Sequence, residues 1–343
     1  MKHVTLDDIA RKLSLSKVAV SKALRDHPDI SEDTKNKVRA TAVKLGYVPN
    51  YMARNLSSQR SNTLGLVVPK IAHHFFAEAI EAIYETAYEN DYEVIMTVSQ
   101  ENADNEIKHI QTLLAMRVDG LLISVTEKTK DLSIFETVQK RNIPLVFFDR
   151  VVENLGYSYV TSDDQKGAFE AISYVVSAGY KKIAHVGGYT TTNIGKNRMK
   201  GFKKAVQKYN LDIPKQWIVE GGFGETHGYE GFKKIFKSGS LPEVIFTVTY
   251  PVALGVILAA EEVGLNIPDD LNIICFGGSS YNHFLKPPLS YVEQPVEDIG
   301  KTAVELLIRE IKSPDIRGIK VQIPTELVLC GTCLSKKGTE VYE

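Results

Sequence analysis

The chain has 343 residues, a formal net charge of −1 and a hydrophobic fraction of 43 %. Because single domains usually contain roughly 100 to 200 residues, this length predicts two or three separate cores. No run approaches the ~18 consecutive apolar residues of a membrane span, and the polar first ten residues do not resemble a secretory signal. We therefore expect a cytoplasmic protein with no membrane role.

Cysteine usage argues against a disulfide scaffold, because the chain has only three cysteines. Cys330 and Cys333 form a lone CxxC pair, whereas a structural zinc ion requires four ligands. We expect no bound metal and no cofactor. The sequence also lacks a Ser/His/Asp set and a phosphate loop, so we do not expect an enzyme.

Charge is distributed unevenly along the chain. The first sixty residues contain twelve Lys or Arg and six acids, a net charge of +6, so the remainder carries −7. A basic segment on an acidic body is expected where only that segment meets nucleic-acid phosphate. A solvated helical surface would give the same count, so charge alone does not decide between these alternatives.

Three short helices are predicted in this basic segment. The first follows the cap Thr5 and has apolar residues at i, i+3, i+4 and i+7. The second extends from about Lys17 to Leu24, and the third begins after the cap Ser31 and stops at Gly46. Together they would enclose one small core.

The second helix has the side chains of a recognition helix in the major groove. Lys17 and Lys22 can donate to guanine, Val18 can touch a thymine methyl, and Ser16 and Ser21 can bind phosphate or base edges. The pattern indicates a helix-turn-helix. A three-helix interaction domain without nucleic acid is the alternative.

A second short segment, residues 50–57, is predicted to form two helical turns after Pro49. So short a helix is unstable alone, so we expect it to form only against a dimer mate and DNA. Leu56 could then wedge between base steps in the minor groove. A flexible linker with an incidental leucine is the alternative.

Several sequence segments resemble the lactose repressor/galactose repressor (LacI/GalR) family. They are VTLDDIARKLSLSKVAVSKAL, GYVPNYMARNLSSQRSNTLGLVVP, DGLLI, PLVFFDR, GYKKIAHVGG and ALGVILAAEEVGLNIPDDL. The resemblance implies a symmetric dimer on a palindromic operator, with Leu56 opening a central base step. Where many relatives carry arginine, this chain has Lys22, which makes a bidentate guanine contact less favourable. The residues expected to contact DNA are Thr5, Leu6, Ser16, Lys17, Val18, Ser21, Lys22, Ser31, Thr34, Tyr47, Asn50, Ala53 and Leu56.

Beyond Asn62, short apolar runs alternate with amphipathic helices, which predicts parallel sheets with helices on both faces. We expect a helix-turn-helix domain at 1–48, a hinge at 49–61, and an effector-binding and dimerisation domain at 62–343. The resemblance implies that this last domain is like periplasmic sugar-binding proteins, with two doubly wound α/β lobes and three crossings of the chain. The expected lobes are about 62–161 with 292–323, and about 162–291 with 324–343.

Ligands of such sheets bind beyond the carboxyl ends of the strands. Loops there offer Asp149 beside Arg150, a stretch from Tyr189 to Asn197 that leads to Arg198, and Phe223. The resemblance implies effector contacts at Asp149, Arg198 and Phe223. We include as further candidates His74, Phe75, Thr249 and Gly277.

Each of these residues also has a structural interpretation. Asp149 could cap a loop, Arg198 could pair with a surface acid, Phe223 could be core, and His73 and His74 could be structural or exposed.

Two departures from the family pattern concern the effector. Thr249-Tyr250 replaces the usual Asn-Asp, and the stretch from Cys275 to Gly278 replaces a Gly-x-Asp-Asp run. Loss of two acceptors would leave sugar hydroxyls unpaired, at about 1 to 3 kcal/mol each. Because Arg198 remains, we expect an altered effector, either anionic or more apolar. A rearranged pocket that still binds sugar is the alternative.

The sequence thus predicts a repressor of carbohydrate metabolism, associated with the nucleoid, whose operator affinity a small molecule controls. The polar C-terminal tail has no heptads, so we expect a homodimer without a tetramerising coiled coil. The alternatives are a regulator that responds to a non-sugar effector or a partner protein, and a solute-binding protein with no DNA role.

Overall fold

The computed structural model describes residues 4–47 and 60–336. The chain divides into two compact units, Met1–Ser61 and Asn62–Glu343, each described by itself below.

The first unit is a bundle of three helices around one small core. The helices are α1 (Leu6–Leu13), α2 (Lys17–Leu24) and α3 (Glu32–Leu45). Their core is formed by the buried side chains of Ile9, Ala10, Val20, Ala23, Val38 and Ala42. The predicted ends of these helices agree with the structure to within one residue.

Local chemistry sets the ends of these helices. Ser14 adopts a left-handed conformation (φ 54°) that ends α1 and starts a tight turn. The Ser16 hydroxyl accepts from the amide of Ala19 at 3.1 Å to cap α2. Gly46 ends α3 at φ 66°, a conformation that glycine adopts without strain.

The second unit has two six-stranded sheets. The strands are β1 (Thr63–Val68), β2 (Glu93–Val98), β3 (Gly120–Ile123), β4 (Leu145–Phe148), β5 (Ser158–Ser162), β6 (Ile183–Gly188), β7 (Ile218–Gly221), β8 (Val244–Thr247), β9 (Asn272–Phe276), β10 (Ser290–Glu293), β11 (Lys320–Ile323) and β12 (Glu326–Val328). The helices are α4 (His74–Glu89), α5 (Ala103–Ala115), α6 (Ser133–Lys140), α7 (Asp164–Ser177), α8 (Asn193–Lys208), α9 (Glu225–Phe236), α10 (Tyr250–Glu262) and α11 (Val296–Lys312).

The strand order is β11-β5-β4-β3-β1-β2 in one sheet and β12-β10-β9-β8-β6-β7 in the other. We call the first sheet with α4, α5, α6 and α11 the first lobe, and the second sheet with α7 to α10 the second lobe. The predicted fold class is confirmed, with one exception: β12 pairs antiparallel to β10. The chain passes between the lobes after β5, after β10 and after β11.

Helices cover both faces of each sheet, which explains the continuous apolar strands. In β1, Leu64, Leu66 and Val68 belong to the core that contains residues of α4 and α11. The intervening Val67 belongs to the core on the other face, with residues of α5 and α6. Strand alternation therefore buries both sides of β1.

One predicted loop is shorter than expected. Residues 193–197 form the first turns of α8, because the Thr192 hydroxyl caps that helix by accepting from the amide of Gly195 at 3.2 Å. Arg198 therefore projects from a helix.

Helices α9 and α10 pack closely because glycines stand at their contact. A Cβ at Gly255 would lie 1.9 Å from the carbonyl oxygen of Glu225, and one at Gly228 would lie 2.0 Å from that of Val252. We expect Gly255→Ala to lower the free energy of unfolding by about 1 to 3 kcal/mol, since the backbone itself must move.

The control is Gly224→Ala, where a Cβ would meet no atom within 4 Å. Urea unfolding of both variants measures the difference. Equal stability of the two variants would contradict the close contact.

Candidate functional sites

The exposed face of α2 presents the predicted DNA-reading side chains. Val18 is 65 % exposed, and Lys17 and Lys22 each bind an acid, Asp7 and Asp29 respectively, with both N–O distances 2.9 Å. Exposed ion pairs of this kind contribute little free energy. DNA could therefore displace these acids from the two lysines at small cost.

Ser21 and Ser16 occupy different settings on this helix. The Ser21 hydroxyl accepts from the Arg25 guanidinium at 3.1 Å, so it is already engaged within the helix. Ser16 is the cap of α2. The first amides of a capped helix form a binding position for phosphate.

The remaining predicted contacts of the first unit are helix caps or margins of the core. Thr5 donates to the Asp8 carboxylate at the start of α1, and Ser31 and Thr34 share a hydroxyl contact of 2.9 Å at the start of α3. Leu6 and Tyr47 are half-buried against the core. The other predicted contacts, Asn50, Ala53 and Leu56, lie outside the described residues.

In the second unit, a cavity of about 270 Å³ lies between the two lobes. Six of the seven predicted effector residues line it: His74, Phe75, Asp149, Arg198, Thr249 and Gly277. They come from the start of α4, from the carboxyl-end loops of β4, β8 and β9, and from α8. The other residues that line it are His73, Phe76, Glu78, Arg150, Ile194, Tyr250, Pro251, Phe276, Gly278, Ser279, Ser280, Tyr291, Glu293, Gln294 and Val296.

Phe223, the seventh predicted residue, does not line this cavity. Its side chain is 3 % exposed and belongs to the hydrophobic core of the second lobe. A Cβ at Gly188 would lie 2.2 Å from the ring, so the glycine makes room for it. The buried ring still contacts the site, because the Arg150 guanidinium lies 4.7 Å from its centroid, within the range of a cation–π interaction.

Arg198 lines the cavity but is largely engaged by the protein. Its Nε and Nη2 atoms each lie 2.9 Å from Oδ1 of Asp164, and Nη1 donates to the carbonyl of Val248 at 2.6 Å. Its guanidinium also lies 3.8 Å from the ring centroid of Phe276. Arg198 and Asp164 are each 1 % exposed, so the partner is a buried acid rather than the surface acid considered above.

Asp149 presents a carboxylate to the cavity without a protein donor. It is 5 % exposed, and no hydrogen bond among the described residues reaches its side-chain oxygens. Burial raises its pKa to about 6, although the positive charges of Arg150 and Arg198 oppose the shift. A ligand that donates to Asp149 would supply the missing partner.

Side chains join the two lobes on both sides of Asp149. Asn193 of α8 donates to the carbonyl of Asp149 at 2.8 Å and accepts from the amide of Val151 at 3.0 Å. His74 Nε2 accepts from the amide of Ser280 at 3.0 Å. The sequence analysis did not identify Asn193. Its position in the sequence is that of an ordinary residue in the first turn of a helix, and nothing there indicates that its side chain binds the backbone of a distant loop.

Both histidines at the cavity are held in defined environments. Burial lowers the pKa of His73 to about 4, so its ring is neutral near pH 7. His74 Nε2 lies 3.0 Å from the amide nitrogen of Ser280 and 3.0 Å from Oε1 of Glu78.

The Asp149 carboxylate predicts a measurable pH dependence of stability. Folding raises its pKa from 3.8 to about 6, so the folded protein retains a proton that the unfolded chain has released between these values. Stability is therefore lost as pH rises through this window. Asp149→Asn should be more stable than the parent at pH 7.5 by up to about 3 kcal/mol.

Thermal or urea unfolding between pH 5 and 8 should show this gain growing with pH and levelling off above pH 7. Asp212→Asn, at an exposed position, provides the matched control. A loss of stability in the Asp149 variant at neutral pH would show that the carboxylate is already stabilised by the protein.

Two family models match the chain. The model described as bacterial regulatory proteins, lacI family, matches residues 5–50, and the model described as periplasmic binding protein-like domain matches residues 172–333.

Solved structures share the fold. The lac repressor dimer bound to operator and the anti-inducer ONPF has a TM-score of 0.85 at 23 % identity, covering 97 % of this chain and 100 % of that one. A putative ribose operon repressor from Burkholderia thailandensis has a TM-score of 0.73 at 28 % identity, covering 78 % of this chain and 99 % of that one.

Curated relatives match over nearly the full length. The probable HTH-type transcriptional repressor ExuR of Bacillus subtilis (strain 168) is 28 % identical, covering 95 % of this chain and 97 % of the relative. Catabolite control protein A of Priestia megaterium is 32 % identical over 323 residues, covering 94 % and 97 %. This chain therefore belongs to the lacI family of bacterial regulatory proteins and is a ligand-controlled DNA-binding regulator.

Proposed function

We propose that the protein is a cytoplasmic homodimeric repressor, without enzymatic activity, that binds a palindromic operator through α2. A small molecule bound between the two lobes controls the affinity for that operator. The observation that carries this proposal is the cavity itself: both lobes line it, and Asp149 offers a buried carboxylate to it without a protein donor.

The DNA-reading surface is assigned to Lys17, Val18, Ser21 and Lys22. Their support is the exposure of the α2 face and the ease with which DNA could replace the acids that hold the two lysines. We assign contacts with DNA phosphate to the capped starts of the three helices. The residues there are Thr5, Ser16, Ser31 and Thr34. On the resemblance alone, Leu56 is assigned to the minor groove, with Asn50 and Ala53 beside it.

Exposed apolar side chains support dimerisation through the second unit. Leu258 on α10 is 55 % exposed, and Tyr281 and Phe284 are 67 % and 69 % exposed with their ring centroids 6.4 Å apart. Apolar surface of this kind, left open in a single chain, is typical of an interface. We assign these residues to the contact between two copies of the chain.

Control by the ligand follows from its position between the lobes. A ligand that contacts both lobes favours one relative arrangement of them, and only an arrangement that also suits the operator permits tight DNA binding. Ligand and operator then change each other's affinity by the same factor.

None of the helices in the described part of the chain has the length and apolar character of a membrane span.

The DNA-binding proposal is tested by gel shift on operator duplexes selected from genomic fragments. We expect Lys22→Ala to weaken binding to the selected operator by about 1 to 3 kcal/mol and to relax selectivity at one base pair, because a lysine that reads a base carries sequence information.

Lys301→Ala removes the same charge from an exposed position of the second unit and is the control. Affinity of the parent should fall steeply with salt. A parent protein with no sequence-selective, salt-sensitive shift would overturn the proposed function and would favour a solute-binding role.

A further inference from the structure

We propose that the effector is a small hydroxylated molecule that carries a protonated amino group. The inference rests on the proposed function only in placing the effector in the cavity between the lobes. It concerns the charge of the ligand, which the paired and unpaired groups of that cavity determine.

Both arginines at the cavity have their charge offset by a neighbouring carboxylate. Arg198 pairs with buried Asp164 at 2.9 Å, and Arg150 pairs with Glu101 at 2.8 Å, where the two side chains are 4 % and 12 % exposed. A ligand phosphate or carboxylate would have to compete with these carboxylates. The pairs therefore count against the anionic effector suggested by Arg198 in the sequence.

Among the described residues, no arginine or lysine forms an ion pair with the acids that line the cavity. No hydrogen bond among the described residues reaches the carboxylate of Asp149, which is 5 % exposed. Glu78 Oε1 lies 3.0 Å from His74 Nε2, a partner that offsets its charge only when the imidazole is protonated. Glu293 also lines the cavity. Burial and the charge of Glu78 raise its pKa, although hydrogen bonds with Tyr291 and Gln294 and the charge of His74 oppose the shift.

The cavity thus contains more negative than positive charge that the protein leaves uncompensated. A cationic ligand relieves the repulsion between Glu78 and Glu293 and provides Asp149 with a charge-assisted hydrogen bond. An anionic ligand would add to the repulsion. The same acids therefore attract a cationic ligand and repel an anionic one.

Aromatic and donor groups complete the expected chemistry of the ligand. Phe75, Tyr250 and Tyr291 line the cavity, and rings of this kind attract cations over their faces. The buried Nε of Arg150 has no acceptor among the described residues. A ligand hydroxyl could accept from it, which is why we combine an amine with hydroxyl groups.

The proposal is tested by thermal shift of the full-length protein with matched compounds. The amines are glucosamine, galactosamine, mannosamine and ethanolamine. Each amino sugar is paired with its parent hexose and its N-acetyl derivative, and the hexose 6-phosphates and glucuronate serve as anions. We expect at least one amine to raise the Tm by several degrees, with smaller shifts for its neutral and anionic counterparts.

A variant locates the binding in this cavity. Asp149→Asn should weaken the amine by about thirtyfold or more, because it removes one partner of a buried charge pair. Glu136→Gln makes the same charge change at an exposed position of α6 and should leave the affinity unchanged. Isothermal titration measures both variants against the parent.

Three outcomes overturn the proposal: no amine in the set raises the Tm, an anion raises it more than the amines, or the neutral parent sugar binds as tightly as its amine. Operator binding by gel shift is measured on the same preparation. A protein that binds operator selectively but fails these ligand tests retains the proposed function and loses only the amine.

Discussion

The bonds between Asn193 and the loop after β4 hold the two lobes together at the place where the ligand would bind. One amide side chain from the second lobe satisfies both the carbonyl of Asp149 and the amide of Val151 in the first. Because backbone polar groups buried without partners are costly, separating the lobes here requires water or other groups to replace Asn193. Together with the contact between His74 and Ser280, these bonds link the geometry of the cavity to the relative position of the lobes.

The loop after β4 also places two charged side chains, Asp149 and Arg150, in buried positions. Asp149 has a left-handed backbone (φ 57°), lines the cavity and is followed directly by the cationic Arg150, which also lines it. Arg150 and Arg198 are neutralised by other acids, so Asp149 remains a destabilising group in the absence of ligand. Residues that serve ligand binding often lower the free energy of unfolding of a protein.

Sequence reasoning succeeded where local chemistry decides the structure. The caps Thr5 and Ser31 and the stop at Gly46 predicted helix ends in the first unit. Apolar runs such as β4 predicted buried strands, and the loops and helices that follow them supplied six residues of the cavity. The resemblance to the LacI/GalR family is confirmed by the comparisons.

The errors concern contacts between distant parts of the chain. Phe223 follows a strand as expected, but only packing against Gly188 determines that its ring points into the core. Arg198 finds its acid, Asp164, across 34 positions of sequence, a pairing that no local pattern encodes. The strand β10, with polar residues at both ends, escaped the apolar pattern, and so did its cavity residues Tyr291 and Glu293.

The central claim is that the arrangement of the lobes controls binding to the operator. Its most direct test is the operator affinity of Asn193→Ala, measured by fluorescence anisotropy against Lys200→Ala, which changes an exposed residue of the same helix. Asn193 lies outside the DNA-binding unit, so we expect a change of about fivefold or more through altered lobe closure, and none for the control. Unchanged operator affinity in a folded Asn193 variant would contradict the account.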